Sequence, residues 1–598
     1  MNNIKQIFKR MISGMSDAVI RFPLTIVSLI GSASLICYEI YKSGIPGLVA
    51  EKLIAMFIVA AVLGMSAQFA WERFEKLRSL RLVLYGVSAL LAGGYLMIIW
   101  PAPEITAEIG IRTAVAVFAL ICSVLFIPTM AKAHEAVDFN QVALIHFKSA
   151  FTSILFSGVM SAGLAAIIAT INILLFKVNT NTYGYMFTIV WVLFATIYYL
   201  SLLPNFNIEN EEENLKLNKA KSYPKFLEIL VSYIAIPLIT AYTLVLIAYF
   251  IKILVTMNWP NGQVGVMVLI YSAVGMVVFV LCSLLENRFA KFYQMVFPKV
   301  LIPIVLMQFV SVFIRITAYG ITESRYYVVL FGIFSLIVAV ILSIWPVKRN
   351  KFIALVAAIL AILSILPPID AFTVSRNSQI SRVEVILQAQ GILTDQKLTA
   401  KANVDEVTKT EVTSILQYLE NRSSLKYVAW LPKDFKTYND MEKVIGFAPT
   451  YNNVNPDGAK YIYLNIDNQK PIVITGFDLY TNLYSGRFDK TSPNMNITMG
   501  NKKYVLEINR INNNDSKVML KDEKGVILNT ISLYEKAKGL IDKSTASKDM
   551  ISPADMTFES DQNGYKLRII FQNINGTLSS GTDAGFDYGF IVMIAVPK

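Results

Sequence analysis

Residues 351–390 read KFIALVAAILAILSILPPIDAFTVSRNSQISRVEVILQAQ, and the fold turns on the change inside this stretch. Up to about residue 368 the chain is a succession of long apolar runs. From Asp370 to Lys598 it is polar and strand-patterned, with no run long enough to cross a bilayer. A transmembrane helix needs ~20 apolar residues. Runs of that kind occur at about 22–41, 52–71, 82–100, 111–130, 150–176, 184–203, 226–255, 264–283, 299–318, 326–345 and 351–368. The expected architecture is an α-helical polytopic membrane bundle of about eleven transmembrane helices. A C-terminal extracytoplasmic α+β domain with an antiparallel sheet follows it. The fifth run is either one tilted helix or an interfacial helix plus a span, and parity is the same in both cases.

Composition agrees. Mean hydropathy is +0.52 with 16% charged residues, a membrane composition diluted by the tail. The net charge is +12. From Ala371 onward there are 27 basic and 25 acidic residues, so the tail holds about +2 and the membrane half the other +10. Loop topology explains that excess better than nucleic acid, and no nucleic-acid partner is expected.

Alternate loops give the direction. One set holds Lys5, Lys9, Arg10 and Arg21; Arg73, Lys76, Arg78 and Arg81; Lys132 and Lys148; Lys216, Lys219, Lys221 and Lys225; Arg288, Lys291 and Lys299; and Lys348, Arg349 and Lys351. The other holds Lys42, Lys52, Arg112, Lys177, Arg315 and Arg325, about threefold fewer. Cationic loops stay cytoplasmic. The expectation is a multi-pass membrane protein with its N-terminus inside and, after eleven crossings, its tail outside. The opening residues 1–21 space Ile4, Ile7, Phe8, Met11 and Met15 along one helical face, as in an interfacial amphipathic helix on anionic lipid. The expected domains are residues 1–21, 22–369 (membrane bundle), 370–458 (helical exit and connector) and 459–598 (β-rich).

Small residues at helical spacing predict close packing: Ser157, Ser161, Ala165 and Ala169; Ala60, Gly64 and Ala67; Gly86, Ala89 and Gly93. A substrate path would use the same residues, but packing is the simpler reading. Aromatic-Pro pairs at Phe22-Pro23, Tyr223-Pro224 and Phe297-Pro298 suit cytoplasmic helix starts.

Ionisable groups inside the bilayer are functional candidates, and few exist. Lys252 is the candidate intramembrane polar residue, near the outer end of its span, where its stem can snorkel. The densest polar cluster runs from Arg315 through Tyr319, Gly320, Thr322, Glu323, Ser324, Arg325, Tyr326 and Tyr327. Arg315, Tyr319, Glu323, Arg325 and Tyr326 form the candidate binding or domain-docking site. Two arginines with tyrosines suit a phosphate, a lipid headgroup or an anionic polymer, whereas the structural reading is a loop that docks the exported domain. Thr322 or Ser324 is placed to cap the next helix. His134, Glu135, Asp138 and His146 resemble a metal-ligand set in composition but lack its spacing, so neither a metal nor a cofactor is expected.

The three cysteines, Cys37, Cys122 and Cys282, fall in apolar runs, and the tail has none. Helices are expected to about Gln390 and over Asp405–Leu419, the latter with Val407, Glu411, Ile415 and Leu419 near one face. Strands are expected over Tyr461–Ile466, Ile472–Phe477, Tyr504–Ile508 and Phe590–Val596, with hairpin turns at Asp522–Gly525 and Gln562–Gly564. The tail has no GxSxG elbow, Walker loop, cysteine or histidine, and no catalytic residue is singled out.

The segments YPKFLEILVSYIAIPLITAYTLVLIAYFIKIL (223–254), Asn258-Trp259-Pro260 with Gly262, YGITESRYYVVLFG (319–332), AFTVSRNSQISRVEVIL (371–387) and Arg21-Phe22-Pro23 resemble the bacterial membrane-protein family of domain of unknown function 4153. The resemblance implies a polytopic bacterial membrane protein, expected in the cytoplasmic (inner) membrane, and supplies no activity or catalytic residues. The expected function is a non-enzymatic envelope protein anchoring an extracytoplasmic binding, sensing or scaffolding domain. Its expected partners are membrane lipids and envelope proteins or cell-wall polymer. The alternatives are a transporter or channel for a small solute or lipid, and an enzyme acting on a lipid-linked substrate.

Overall fold

The computed structural model describes residues 2–42, 47–130, 137–206, 211–257, 263–345, 347–450, 460–486, 494–543, 549–578 and 585–597. They form two compact units, Met1–Arg382 and Val383–Lys598.

The first unit is helical: α1 (Asn2–Arg21), α2 (Pro23–Lys42), α3 (Leu48–Arg73), α4 (Arg81–Ile99), α5 (Ala107–Phe126), α6 (Phe139–Leu174), α7 (Asn181–Ser201), α8 (Glu211–Lys221), α9 (225–256), α10 (Gln263–Cys282), α11 (Arg288–Tyr319), α12 (Glu323–Ile344) and α13 (Lys351–Leu363). Ten helices among the described residues are long and apolar enough to cross a membrane. Their outward side chains include Leu82, Leu90, Met97 and Ile98, each more than 70% exposed, as lipid-facing residues should be. This is a polytopic membrane protein. The first side chains of α1, with Ile4, Lys5, Ile7, Phe8 and Arg10, lie outside the described residues. Its later residues Ile12, Val19 and Ile20 are exposed, and Ala18 is buried.

The eleventh expected span is a special case. Its helix α13 has thirteen residues, ~20 Å at 1.5 Å per residue, short of a ~30 Å hydrocarbon core. Contacts at its two ends show that the chain still passes from one end of the bundle to the other. At the start, the buried Asn350 donates to Asn140 Oδ1 (2.6 Å) and Ser283 Oγ (2.9 Å), at the start of α6 and just past the end of α10. At the finish, Asp370 pairs with Arg112 near the start of α5, and Tyr326 of α12 donates to Ile369 O. Helix α12 itself runs back from the second end to the first. Turns over residues 364–369 supply the length that the helix lacks, and Asp370 begins the exit.

Other loop contacts sort the same way. At the first end Arg21 pairs with Glu72 (2.7 Å) and donates to Leu203 O and Pro204 O, and Lys148 donates to Ala220 O and Ser222 O. At the second, Lys52 donates to Trp100 O and Ala102 O, and Asn181 to Ile40 O. These are the two alternating loop sets read from the sequence.

Small residues divide between two roles. A Cβ on Gly64 would lie 2.8 Å from Thr25 Oγ1, so α2 and α3 do approach closely there. Ser149, Ser153, Ser157 and Ser161 form one buried stripe of α6, with Ser153 donating to Ala195 O of α7. Gly86 and Gly93, in contrast, meet open space, as does Gly158, and Ala89 is exposed. The α4 face expected to pack is turned away from its neighbours. Hydropathy is blind to this, because lipid and helix faces are equally apolar.

Helix α14 (Ala371–Ala389) carries the chain out of the first unit. In the second unit, α15 (Glu406–Asn421) is capped by Asp405, which accepts from Thr408 N–H. Its buried face is Val412, Ile415, Leu416 and Leu419, while Val407 is 71% exposed and belongs to the other side. Helix α16 (Thr437–Ile445) and the short hairpin β1 (Leu393–Thr394) and β2 (Lys397–Leu398) complete this helical part.

A β-sandwich follows. One sheet has the order β4-β12-β11-β3-β9, with β10 also on β11: β3 (Lys460–Ile466), β4 (Leu479–Ser485), β9 (Asp549–Ile551), β10 (Thr557–Gln562), β11 (Tyr565–Leu578) and β12 (Gly585–Ala595). The other has the order β5-β6-β7-β8: β5 (Asn494–Met499), β6 (Lys502–Arg510), β7 (Ser516–Asp522) and β8 (Ile527–Ser532). Pairing is antiparallel except between β3 and β9. The two sheets and α17 (Leu533–Lys543) share one core that includes Leu506, Val518, Ile531, Phe571, Tyr588 and Phe590. Both expected turns form; Asn563 and Gly564 have φ of 54° and 82° in the β10–β11 hairpin. Ile472–Phe477 is not a strand. Gly476 at φ 86° turns the chain, and the strand forms at Leu479–Ser485 instead.

Candidate functional site

The polar loop between α11 and α12 is built around a helix end. Helix α11 stops at Tyr319 because Gly320 takes φ 69°, which only glycine adopts without strain. The last carbonyls of a helix lack intrahelical donors and carry partial negative charge. Here Tyr319 O accepts from Gln379 Nε2 (3.0 Å), Arg325 (3.2 Å) and Arg382 (3.4 Å), and Arg325 also donates to Gly320 O. Both guanidinium groups lie against the Tyr319 ring, 5.6 Å and 5.8 Å from its centroid. Gln379 donates again to Ile321 O, and Ile321 N–H donates to Ser378 Oγ. The partners of the loop are thus the first turns of α14. Gly320 faces them directly, since a Cβ there would lie 2.8 Å from Gln379 Nε2 and 3.2 Å from Ser378 Oγ.

Of the residues singled out from the sequence, Tyr319 and Arg325 meet here. Glu323 is buried in the first turn of α12, where the helix dipole favours a carboxylate. Tyr326 sits one turn further and holds Ile369 O at 2.7 Å. Arg315 is half-buried a turn before Tyr319 and pairs with none of these residues. Lys252 is exposed on α9, one turn before the helix ends at Thr256, rather than enclosed in the bundle. Thr322 occupies the cap position of α12, yet its hydroxyl meets Ser324 Oγ and makes no capping bond.

Beside this loop lies an ion pair that the charge census recorded only as a loop arginine and a boundary aspartate. The Asp370 side chain has no exposure; its Oδ1 accepts from Arg112 (2.8 Å) and from the N–H groups of Phe372 and Thr373 (3.1 Å each). Arg112 also pairs with Glu108, donates to Ile365 O and covers the Phe372 ring. Burial pushes the Asp370 pKa up, but Thr373, the Arg112 charge and the Phe372 N–H outweigh it and hold the carboxyl below its usual value. The sequence held a signal for the neighbouring loop and not for this pair: the family-like segments 319–332 and 371–387 are the two that touch at Tyr319 and Ile321.

Three further features escaped the sequence reading. At the other end of the bundle Arg21, Glu72, Gln68 and Tyr85 form a continuous hydrogen-bonded chain. His146 Nδ1 meets the Tyr199 hydroxyl at 2.6 Å and stacks on Phe206, with Phe69 edge-on, which is an aromatic cage rather than a metal site. His134 and Glu135 lie outside the described residues; among the described residues no three His, Cys, Asp or Glu side chains are grouped to hold a metal. Finally, an apolar recess of about 370 Å³ between α5, α10, α12 and α13 is lined by Val115, Phe118, Leu269, Phe331 and Leu360, with Tyr327 and Ser364 as its polar members.

A family model described as Domain of unknown function (DUF4153) matches residues 30–402. An uncharacterized protein of Pasteurella multocida (strain Pm70) is 24% identical over 312 residues, 51% of this chain and 48% of that protein. The chain therefore spans about half the length of that relative. No solved structure matches.

Proposed function

Because the chain belongs to the DUF4153 family, we propose that its helical bundle is an envelope anchor that fixes where the chain leaves the bacterial cytoplasmic membrane, so that the C-terminal domain is held on the extracytoplasmic side. One observation carries this reading. The polar groups at this end of the bundle grip the exit, through Arg112 of α5 with Asp370 and through Tyr319 and Ile321 with Ser378, Gln379 and Arg382. The orientation rests on the threefold excess of Lys and Arg in the loops of the opposite end. In this reading the domain senses, binds or organises an envelope component, and its partners are lipids, envelope proteins or cell-wall polymer.

Cysteine labelling tests it. Cys37, Cys122 and Cys282 are replaced by Ser, and single cysteines are placed at the exposed positions Lys566 and Lys76. In intact bacteria an impermeant maleimide should label Lys566→Cys and should reach Lys76→Cys only after permeabilisation. The opposite pattern would put the domain in the cytoplasm and end the proposal.

A second reading, a carrier for a lipid or small apolar solute, is favoured by the recess at Phe331, whose volume is that of a ligand pocket. It requires a bound lipid that purifies with the protein and is lost in Ala357→Trp. Native mass spectra without such a species would remove it.

A further inference from the structure

We propose that the outer face of the β4-β12-β11-β3 sheet is a binding platform for a neutral glycan strand. Neighbouring side chains of a strand point to opposite faces. Ile462, Leu464 and Ile466 of β3, Ile574 of β11, and Tyr588 and Phe590 of β12 point into the core, each no more than 3% exposed. The alternate residues therefore form the other face, and strand register lines them up. One row across four strands reads Tyr484, Gly589, Asn573 and Asn465; the next reads Asp587, Asn575 and Tyr463. On the other side of the first row, Asn482 and then Tyr480 extend the face along β4.

The composition of this face is selective. Tyr463, Tyr480 and Tyr484 are 48%, 64% and 57% exposed, whereas the aliphatic Ile591 and Met593 beside them are covered. The remaining groups are almost all side-chain amides, each offering two donors and an acceptor. Gly589 keeps the platform open for one of them: a Cβ there would lie 2.7 Å from Asn573 Nδ2, so the glycine gives the Asn573 amide its room. Asn575 Nδ2 in turn donates to Asn573 Oδ1 at 3.3 Å, which fixes both amides.

These are the two things that a sugar ring asks of a protein. Its C–H face packs on an aromatic ring, and its hydroxyl rim needs groups that both donate and accept. Tyrosine supplies a rigid amphipathic ring at little entropic cost. At ~3.4 Å per residue and ~4.8 Å per strand, Tyr484 lies about 14 Å from Tyr480 and about 16 Å from Tyr463, so the platform spans several rings of an extended chain. Asp587 is the ionisable residue of the Tyr484 and Tyr463 rows, and register puts Arg568 in the row of Tyr480, where Glu559 matches its charge at 2.6 Å, so the face offers little net attraction to a polyanion or an anionic lipid. Among the described residues of these four strands the face also lacks the exposed aliphatic centre of a protein interface, and the exposed Met550 lies outside them on the flanking β9.

The inference rests on the function proposed above only for where the glycan is met; the binding itself is a property of the sandwich. The full-length protein in detergent, applied to an array of neutral oligosaccharides that includes chitin, β-glucan and mannan fragments, should bind at least one of them. Tyr480→Ala and Tyr484→Ala should each weaken that binding tenfold or more, and Tyr480→Phe and Tyr484→Phe less than threefold, because the ring is kept. Tyr427→Ala, an exposed tyrosine elsewhere in this unit, should leave it unchanged. Circular dichroism of each variant checks the fold. Failure to bind any neutral glycan would overturn the proposal. So would binding indifferent to both alanine variants, equal loss in the phenylalanine variants, or tyrosine-dependent binding to phosphatidylglycerol vesicles instead. Glycan binding with Lys566→Cys labelled only after permeabilisation would sink the envelope anchor and leave the platform standing.

Discussion

Arg112 and Asp370 are 258 positions apart in sequence, and their side chains meet at 2.8 Å. The pair ties the first turns of α5 to the end of the last crossing, with the Asp370 side chain wholly buried and that of Arg112 a quarter exposed. Removing one partner of a buried pair strands the other charge and costs about 3–5 kcal/mol. Asp370→Ala and Arg112→Met should each lower the unfolding midpoint in detergent accordingly. The double variant should lose less than the sum of the two, since no buried charge is then left unpaired, Glu108 being open to solvent. Strict additivity in the thermal melts would mean that the two groups do not depend on each other.

The same carboxylate sets a pH dependence. Its folded pKa is depressed below the ordinary 3.8. Asp370 therefore stabilises the fold fully above that ordinary value, and the contribution is lost as the pH falls through the depressed one. The stability gap between the wild type and Asp370→Asn should be constant from pH 7 to pH 5 and close only below about pH 4. Melting curves at pH 7, 5 and 3.5 read it directly. A gap that closes between pH 7 and 5 would contradict the depressed value.

What the sequence made legible follows the physics of each half. Helix length and loop charge are local properties, so the runs from Pro23 to Ile344 and the two loop sets were readable from spacing alone. The strands over Lys460–Ile466 and Lys502–Arg510 were readable because one face is buried and the period is two. Asp370 was visible only as the place where hydrophobicity stops, because nothing local says that its partner is Arg112. Gly86, Ala89 and Gly93 misled because small residues are as apolar beside lipid as beside a helix. Ile472–Phe477 misled because the segment lies on the face of the sheet instead of joining the ladder: Val473 O accepts from Arg568 of the interior strand β11, and Phe477 lies under that guanidinium. Of the candidate site, Tyr319 and Arg325 were legible as polar residues at a helix break. Their partners Gln379 and Arg382 read only as part of an exit helix.

Gly320 is held to glycine twice over. A side chain at φ 69° and ψ 179° is strained by about 1–3 kcal/mol. A Cβ would also press on Gln379 Nε2 at 2.8 Å. Gly320→Ala should destabilise by at least that strain and loosen the first turns of α14, seen as faster amide exchange over residues 371–382. In Gly320→Ala with Gln379→Ala the closest collision is gone while the backbone strain and the Ser378 contact stay, so part of the combined loss should be recovered. A double variant no better than the sum would place the cost in the backbone and the Ser378 contact.

The shortness of α13 makes one further prediction about the crossing. Thirteen helical residues give ~20 Å, and a re-entrant segment of that length would return the chain to the side it came from. The end contacts argue against a return. Asn350 is held by Asn140 and Ser283 at one end of the bundle, and Asp370 by Arg112 at the other. Lys348 and Asn377 are both exposed and flank the segment. Single cysteines at these two positions should therefore be labelled by an impermeant maleimide from opposite sides of the membrane. Labelling from the same side would make the segment re-entrant and reduce the crossings to ten. The C-terminal domain would then share a side with the basic loops, so the pair of sites tests the parity on which the direction of the whole tail depends.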